Sequence, residues 1–255
     1  MIRLTRLLAV AAMVSGLSFA DQILATYEPA GVVLPLSSVI CAGTATCVLG
    51  TEDFNAWQGG GFSTDFGTGN QITGTYSGGL LSYAADQFGG AGGAGRYPVI
   101  FSTGGSYTLT LSTAGVPGVN YFGLWLSALD SGNLLQFYSG NTLVYEFTPA
   151  DLINLVGACS AANPFCANPS GAFKGQDSGE QFAYLNFYDM NGYFDKIVFS
   201  ESGGGGLESD NHTVAYMDPP IPTGTEINAP EPATLSLAAA AAFLLALARR
   251  RLLTH

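Results

Sequence analysis

The chain has 255 residues, 8 basic and 19 acidic side chains, and a formal net charge of −11. Residues 21–228 hold 18 of those acids against only Arg96, Lys174 and Lys196, a net −15. So few cations cannot neutralise a phosphate backbone, which excludes nucleic acid as a partner.

The same stretch carries 33 of the 34 glycines, so helices should be scarce and turns frequent. An apolar content of 47% argues against disorder, and the length suits one large all-β domain. Before that domain, residues 1–20 carry Arg3 and Arg6, an apolar run from Leu7 to Leu17, and small residues Ser18 and Ala20 ahead of Asp21. This is the pattern of a secretory signal peptide cut before Asp21. Export would place the four cysteines in an oxidising compartment. Cys41 and Cys47 are six apart and Cys159 and Cys166 seven apart, so two local disulfides are preferred over crossed pairings. Zinc is disfavoured, because the spacings are not CxxC and no histidine is near.

Period-2 alternation is the main signal along residues 21–217. Tyr107, Leu109 and Leu111 alternate with Ser106, Thr108, Thr110 and Ser112, which puts one apolar face on a strand. Leu134–Tyr138 and Leu143–Phe147 flank Ser139-Gly140-Asn141 and predict a hairpin. Phe182–Tyr188 and Tyr193–Phe199 flank Asp189–Gly192 and predict a second. Thr148-Pro149-Ala150-Asp151 opens one short helix that runs to Val156 and stops at Gly157. The expected fold is an all-β, antiparallel, jelly-roll-like sandwich with that one helix. Pro219, Pro220, Pro222 and Gly224 then mark residues 218–229 as an extended spacer.

The chain ends on Pro230-Glu231-Pro232, an uncharged Ala/Leu-rich stretch at 233–248, and Arg249, Arg250 and Arg251. A 16-residue helix would span about 24 Å, short of the ~30 Å hydrocarbon core, which suits a transient membrane hold more than an anchor. Residues 230–255 resemble the PEP-CTERM sorting signal of bacterial exported proteins, in which triplet, hydrophobic helix and arginine cluster come in this order. The resemblance implies recognition by an exosortase, cleavage near Pro230–Pro232, and release to the cell surface or extracellular matrix, often alongside exopolysaccharide. YAADQFGGAGGAGRY from Tyr83, NYFGLWLSALDSGNLLQFYSG from Asn120 and FDKIVFSESGGGGLESDNHTV from Phe194 also resemble exosortase-dependent surface proteins. That likeness implies location and fold but no catalytic residue.

The site chemistry is thin. With His255 in the tail, His212 is the one imidazole left for a base; no GxSxG elbow accompanies it, and a structural role is favoured. Glu52, Asp53, Glu180 and Asp189 are candidates for the two carboxylates of a glycoside hydrolase, the alternative reading of the chain as a secreted carbohydrate-active enzyme. Glu201, Glu208, Asp210 and Asn211 beside the Gly203–Gly206 run suggest a calcium loop, with solvated acids as the competing reading. Asp130-Ser131-Gly132-Asn133 reads as a hairpin turn first and a ligand loop second. Trp57, next to a glycine triplet, is the expected exposed platform for a sugar ring, with Tyr76, Tyr83, Tyr121 and Tyr138 as further candidates and Trp125 assigned to the core. The expected function is thus a non-enzymatic surface or matrix protein that binds exopolysaccharide.

Overall fold

The computed structural model describes residues 22–101, 105–203 and 205–227. Residues 1–20, read as a signal peptide, Pro230, Glu231, Pro232, the apolar stretch 233–248 and Arg249–Arg251 lie outside the described residues.

The described chain forms two antiparallel sheets. Its elements are β1 (Ile23–Tyr27), α1 (Ser37–Ile40), β2 (Thr46–Glu52), β3 (Phe62–Thr64), β4 (Ile72–Gly78), β5 (Leu81–Ala84), β6 (Arg96–Ile100) and β7 (Gly105–Thr113). They continue with β8 (Tyr121–Ser127), β9 (Asn133–Ser139), β10 (Thr142–Phe147), α2 (Pro149–Val156), β11 (Ala183–Asp189), β12 (Lys196–Glu201), β13 (Leu207–Asp218) and β14 (Thr225–Glu226). One sheet runs β14-β1-β11-β8-β13-β6-β5 with β2 also on β13, and the other runs β10-β9-β12-β7-β4-β3. The core lies between them: Phe122 and Phe187 of the first sheet meet Phe137 and Phe199 of the second at ring distances of 4.7–6.1 Å.

The alternation of β7 is realised as read, with Tyr107, Leu109 and Leu111 buried. The hairpin β9–β10 forms, with a register shift between Leu143 and Tyr145. Helix α2 begins with Pro149 in its first turn, where the missing N–H costs nothing, and ends at Gly157 with φ 86°.

The second expected hairpin does not exist. β11 pairs with β1 and β8, whereas β12 crosses to the other sheet and pairs with β7 and β9. Every residue of β11 is buried, so this strand needs neighbours and cover on both faces. A second layer supplies the cover: Ile40 of α1 packs on Tyr121 and Tyr188, while Val32, Val33 and Ala91 pack on Trp125 and Tyr184. The Asp130–Asn133 turn likewise links the two sheets.

Nor does the chain leave the sandwich at Met217. β14 pairs with β1, the Ile227 N–H donates to Ala25 O, and Ile227 is buried, so residues 218–227 belong to the folded body.

Candidate functional site

The chemistry of the molecule concentrates on β13, the longest strand. One edge of β13 pairs with β8; the other is shared by β6 at Leu207–Glu208 and by β2 from His212 to Asp218. Against β8, Asp210 faces Trp125 and Thr213 faces Gly123, so β13 carries one extra residue. Asn211, at φ 51°, takes up the bulge, a conformation that asparagine tolerates better than most residues. The extra residue resets the alternation: Leu207 and Ser209 point into the sandwich before it, His212 and Val214 after it. Glu208 and Asp210 point outward.

Inside, His212 is fully buried and both ring nitrogens are used. Nδ1 lies 2.9 Å from the Tyr76 hydroxyl and Nε2 3.0 Å from Ser209 Oγ, which meets the Tyr107 hydroxyl at 3.1 Å. Phe199 stacks on the imidazole at 5.2 Å, while Phe54 and Phe122 meet it edge-on. Burial pushes its pKa down to about 3, so it stays neutral. A base so enclosed cannot reach a substrate, and the structural reading of His212 fits.

Trp57 joins this interior instead of the surface. It is 7% exposed, its ring contacts Phe54 and Phe62, and its indole N–H donates to Gly60 O at 3.0 Å. The glycines that suggested an exposed platform fold the loop back so that the ring is covered. Tyr76 and Tyr121 are buried too, and Lys196 lies over the Tyr138 ring at 4.1 Å. Of the aromatic candidates Tyr83 remains open, 42% exposed and edge-on to Phe101 at 4.9 Å. Trp125 is core, as read.

The four residues assigned to a calcium loop do not share one. Glu201 ends β12 in the opposite sheet, is buried, and accepts a hydrogen bond from the Gly203 N–H. Asp210 and Asn211 sit in the strand: Asp210 accepts from the N–H groups of Ala91 (2.7 Å) and Asn211 (2.7 Å), and Asn211 Nδ2 donates to Val33 O (2.9 Å). A flexible-loop reading fails because Leu207 starts a ladder that buries these acids between β8 and the covering loops. Among the described residues no three His, Cys, Asp or Glu side chains form a ready-made metal shell.

Glu208 has other company. It is 4% exposed, its Oε2 makes no hydrogen bond, and its electrostatic neighbours are Asp130, Glu180 and Asp86. Burial first, then those charges, push its pKa up to about 9. Burial and the adjacent Asp177 lift Glu180 to about 7, and burial lifts Asp210 to about 7. Asp86 is better satisfied, with the Tyr97 hydroxyl and the Phe88 and Gly89 N–H groups donating to its Oδ1. The sequence marks Asp130, Glu180 and Glu208 only separately and gives no sign of Asp86 and Asp177, since only the fold brings the β8–β9 turn, the loop before β11 and β13 together.

The remaining hydrolase candidates are tied locally. Glu52 accepts from Phe54 N–H, Asp53 from Asn55 N–H, and Asp189 from the N–H groups of Asn191 and Gly192. The cysteines pair as preferred, Cys41 with Cys47 and Cys159 with Cys166. No protein-family model, curated protein or solved structure matches the chain.

Proposed function

We propose that this chain is an exported, exosortase-processed protein of the cell surface or extracellular matrix, non-enzymatic, that binds exopolysaccharide. The observation that carries the reading is the pair of short-loop disulfides, with no free cysteine among the described residues, which suits an oxidising compartment. No helix of the described residues is long and apolar enough to cross a membrane. The secretion machinery and an exosortase act on the two ends, residues 1–20 and 230–255, and residues 233–248 supply a transient hold in the membrane. Strands β7, β8 and β9, and again β10 to β13, alternate between the sheets, a crossing pattern in keeping with a jelly-roll-like body. Tyr83 takes the sugar-stacking role first given to Trp57.

Mass spectrometry of the mature protein tests the processing. The expected chain starts at Asp21 and ends near Pro230–Pro232; a mature protein that retains Arg249–Arg251 overturns the sorting reading. For the activity, the protein is mixed with exopolysaccharide from a producing cell. Retention without new reducing ends is expected. Sugar release supports the carbohydrate-active enzyme instead.

A further inference from the structure

We infer that the outer end of β13 is a calcium-binding site, in which Asp130 of the β8–β9 turn and Glu208 of β13 close on one ion. The inference stands apart from the sorting proposal and holds whether or not the ends are processed.

Three observations carry it. Glu208 is buried and its Oε2 makes no hydrogen bond. Directly across the ladder, Ser127 is fully buried on the same outward face, and its Oγ also makes none. Two orphaned oxygens side by side are costly in a low-dielectric place and are what an oxygen-seeking cation satisfies. Second, Asp130 and Glu208 converge on Gly206. Its N–H donates to Asp130 Oδ2 at 3.2 Å, and a Cβ there would stand 1.9 Å from Glu208 Oε1. At Gly205 a Cβ would stand 1.8 Å from Asp130 Oδ2, so side chains at either position would fall on the carboxylates. Third, the two acids lack a cationic partner. Among the described residues no lysine or arginine pairs with these acids: Arg96 is bound to Ser82 and Lys196 covers Tyr138.

The donors are all hard oxygens, from the β8–β9 turn and from strands β13 and β8, and calcium accepts such a mixed set more readily than magnesium or a transition metal does. Two carboxylates do not fill a calcium shell. The hydroxyl of Ser127, backbone carbonyls and water complete it, in keeping with the lack of three convergent acids. Glu180 and Asp86 add negative potential around the ion. Bound there, calcium ties the β8–β9 turn to β13 and so links the two sheets at this end.

Calorimetric titration of the full-length protein with calcium chloride, after chelator treatment and at pH 7.5, tests the site, with magnesium chloride as comparison. The expectation is one calcium site, weaker magnesium binding, and a melting temperature that rises with calcium. Glu208→Gln and Asp130→Asn each should weaken calcium tenfold or more, and Glu146→Gln, on the exposed hairpin β9–β10, should leave it unchanged. No heat and no melting shift in the wild-type protein overturns the inference and leaves Glu208 as a buried neutral acid. Calcium binding that survives either substitution overturns the assignment to this site. If one variant does not fold, the other and the wild-type melting shift still decide.

Discussion

The two faces of β13 solve the same problem in opposite ways. Inward, His212, Ser209, Tyr76 and Tyr107 form a chain in which each polar atom finds a partner, and aromatic rings seal it. Outward, one residue from Ser209, Glu208 is equally buried but faces other acids and leaves an oxygen unpaired. A buried polar group stabilises a fold only when it is satisfied. The inner face is therefore complete in itself, and the outer face is complete only with a cation or a proton.

Variants on the inner face should cost most. Trp57→Ala removes a covered ring from the cluster around Phe54 and should lose about 3–5 kcal/mol in denaturant unfolding. Exopolysaccharide retention per folded molecule should stay unchanged; a selective loss of retention would return Trp57 to the surface role. His212→Ala should cost about 3 kcal/mol or more, because it leaves a cavity and strands the Tyr76 and Ser209 hydroxyls. A near-neutral result would show that this network is not what the inner face rests on. Opening the Cys159–Cys166 loop with serines should cost about 2–3 kcal/mol by the loop-closure estimate, read from the same unfolding curves. The smallest effect is expected outside: Glu208→Gln in chelator at pH 7.5 should be near neutral, since the wild-type carboxyl is already uncharged there and its Oε2 makes no hydrogen bond that would be lost. A large loss there would mean that Glu208 has a partner and the two faces are alike.

The sequence displays the parts of this architecture that local chemistry dictates. Alternation in β7, the Ser-Gly-Asn turn of the β9–β10 hairpin, the Pro-led helix α2 and the short cysteine spacings each act within ten residues or so. What it hides is set by burial from a distance. Phe182–Tyr188 has no exposed residue to say which sheet it joins, its Tyr184, Asn186 and Tyr188 being satisfied inside, so its closeness to Tyr193–Phe199 suggests a hairpin where the chain crosses over. Glycines around Trp57 read as exposure, although they are what lets the loop fold back. Acids from Glu208 to Asp210 read as a solvated loop, because nothing local says that covering segments from Val32–Val33 and Ala91 will bury a charged strand. The bulge at Asn211, which decides that His212 points inward, has only an asparagine to announce it.

The contrast between the faces is tested most directly by the melting temperature across pH, in chelator and in calcium. His212 is held neutral down to about pH 3 in the fold but protonates near 6.5 when unfolded, so its contribution rises with pH between those values. Glu208, Asp210 and Glu180 have raised folded pKa values of about 9, 7 and 7, so what they contribute is present in acid and is lost as pH climbs towards those values. Above pH 6.5 the outer face titrates and His212 does not. The account predicts that in chelator the melting temperature falls from pH 6.5 to 9, and that calcium makes the fall smaller by removing the share of Glu208. A chelator curve that stays flat or rises over that range would contradict it.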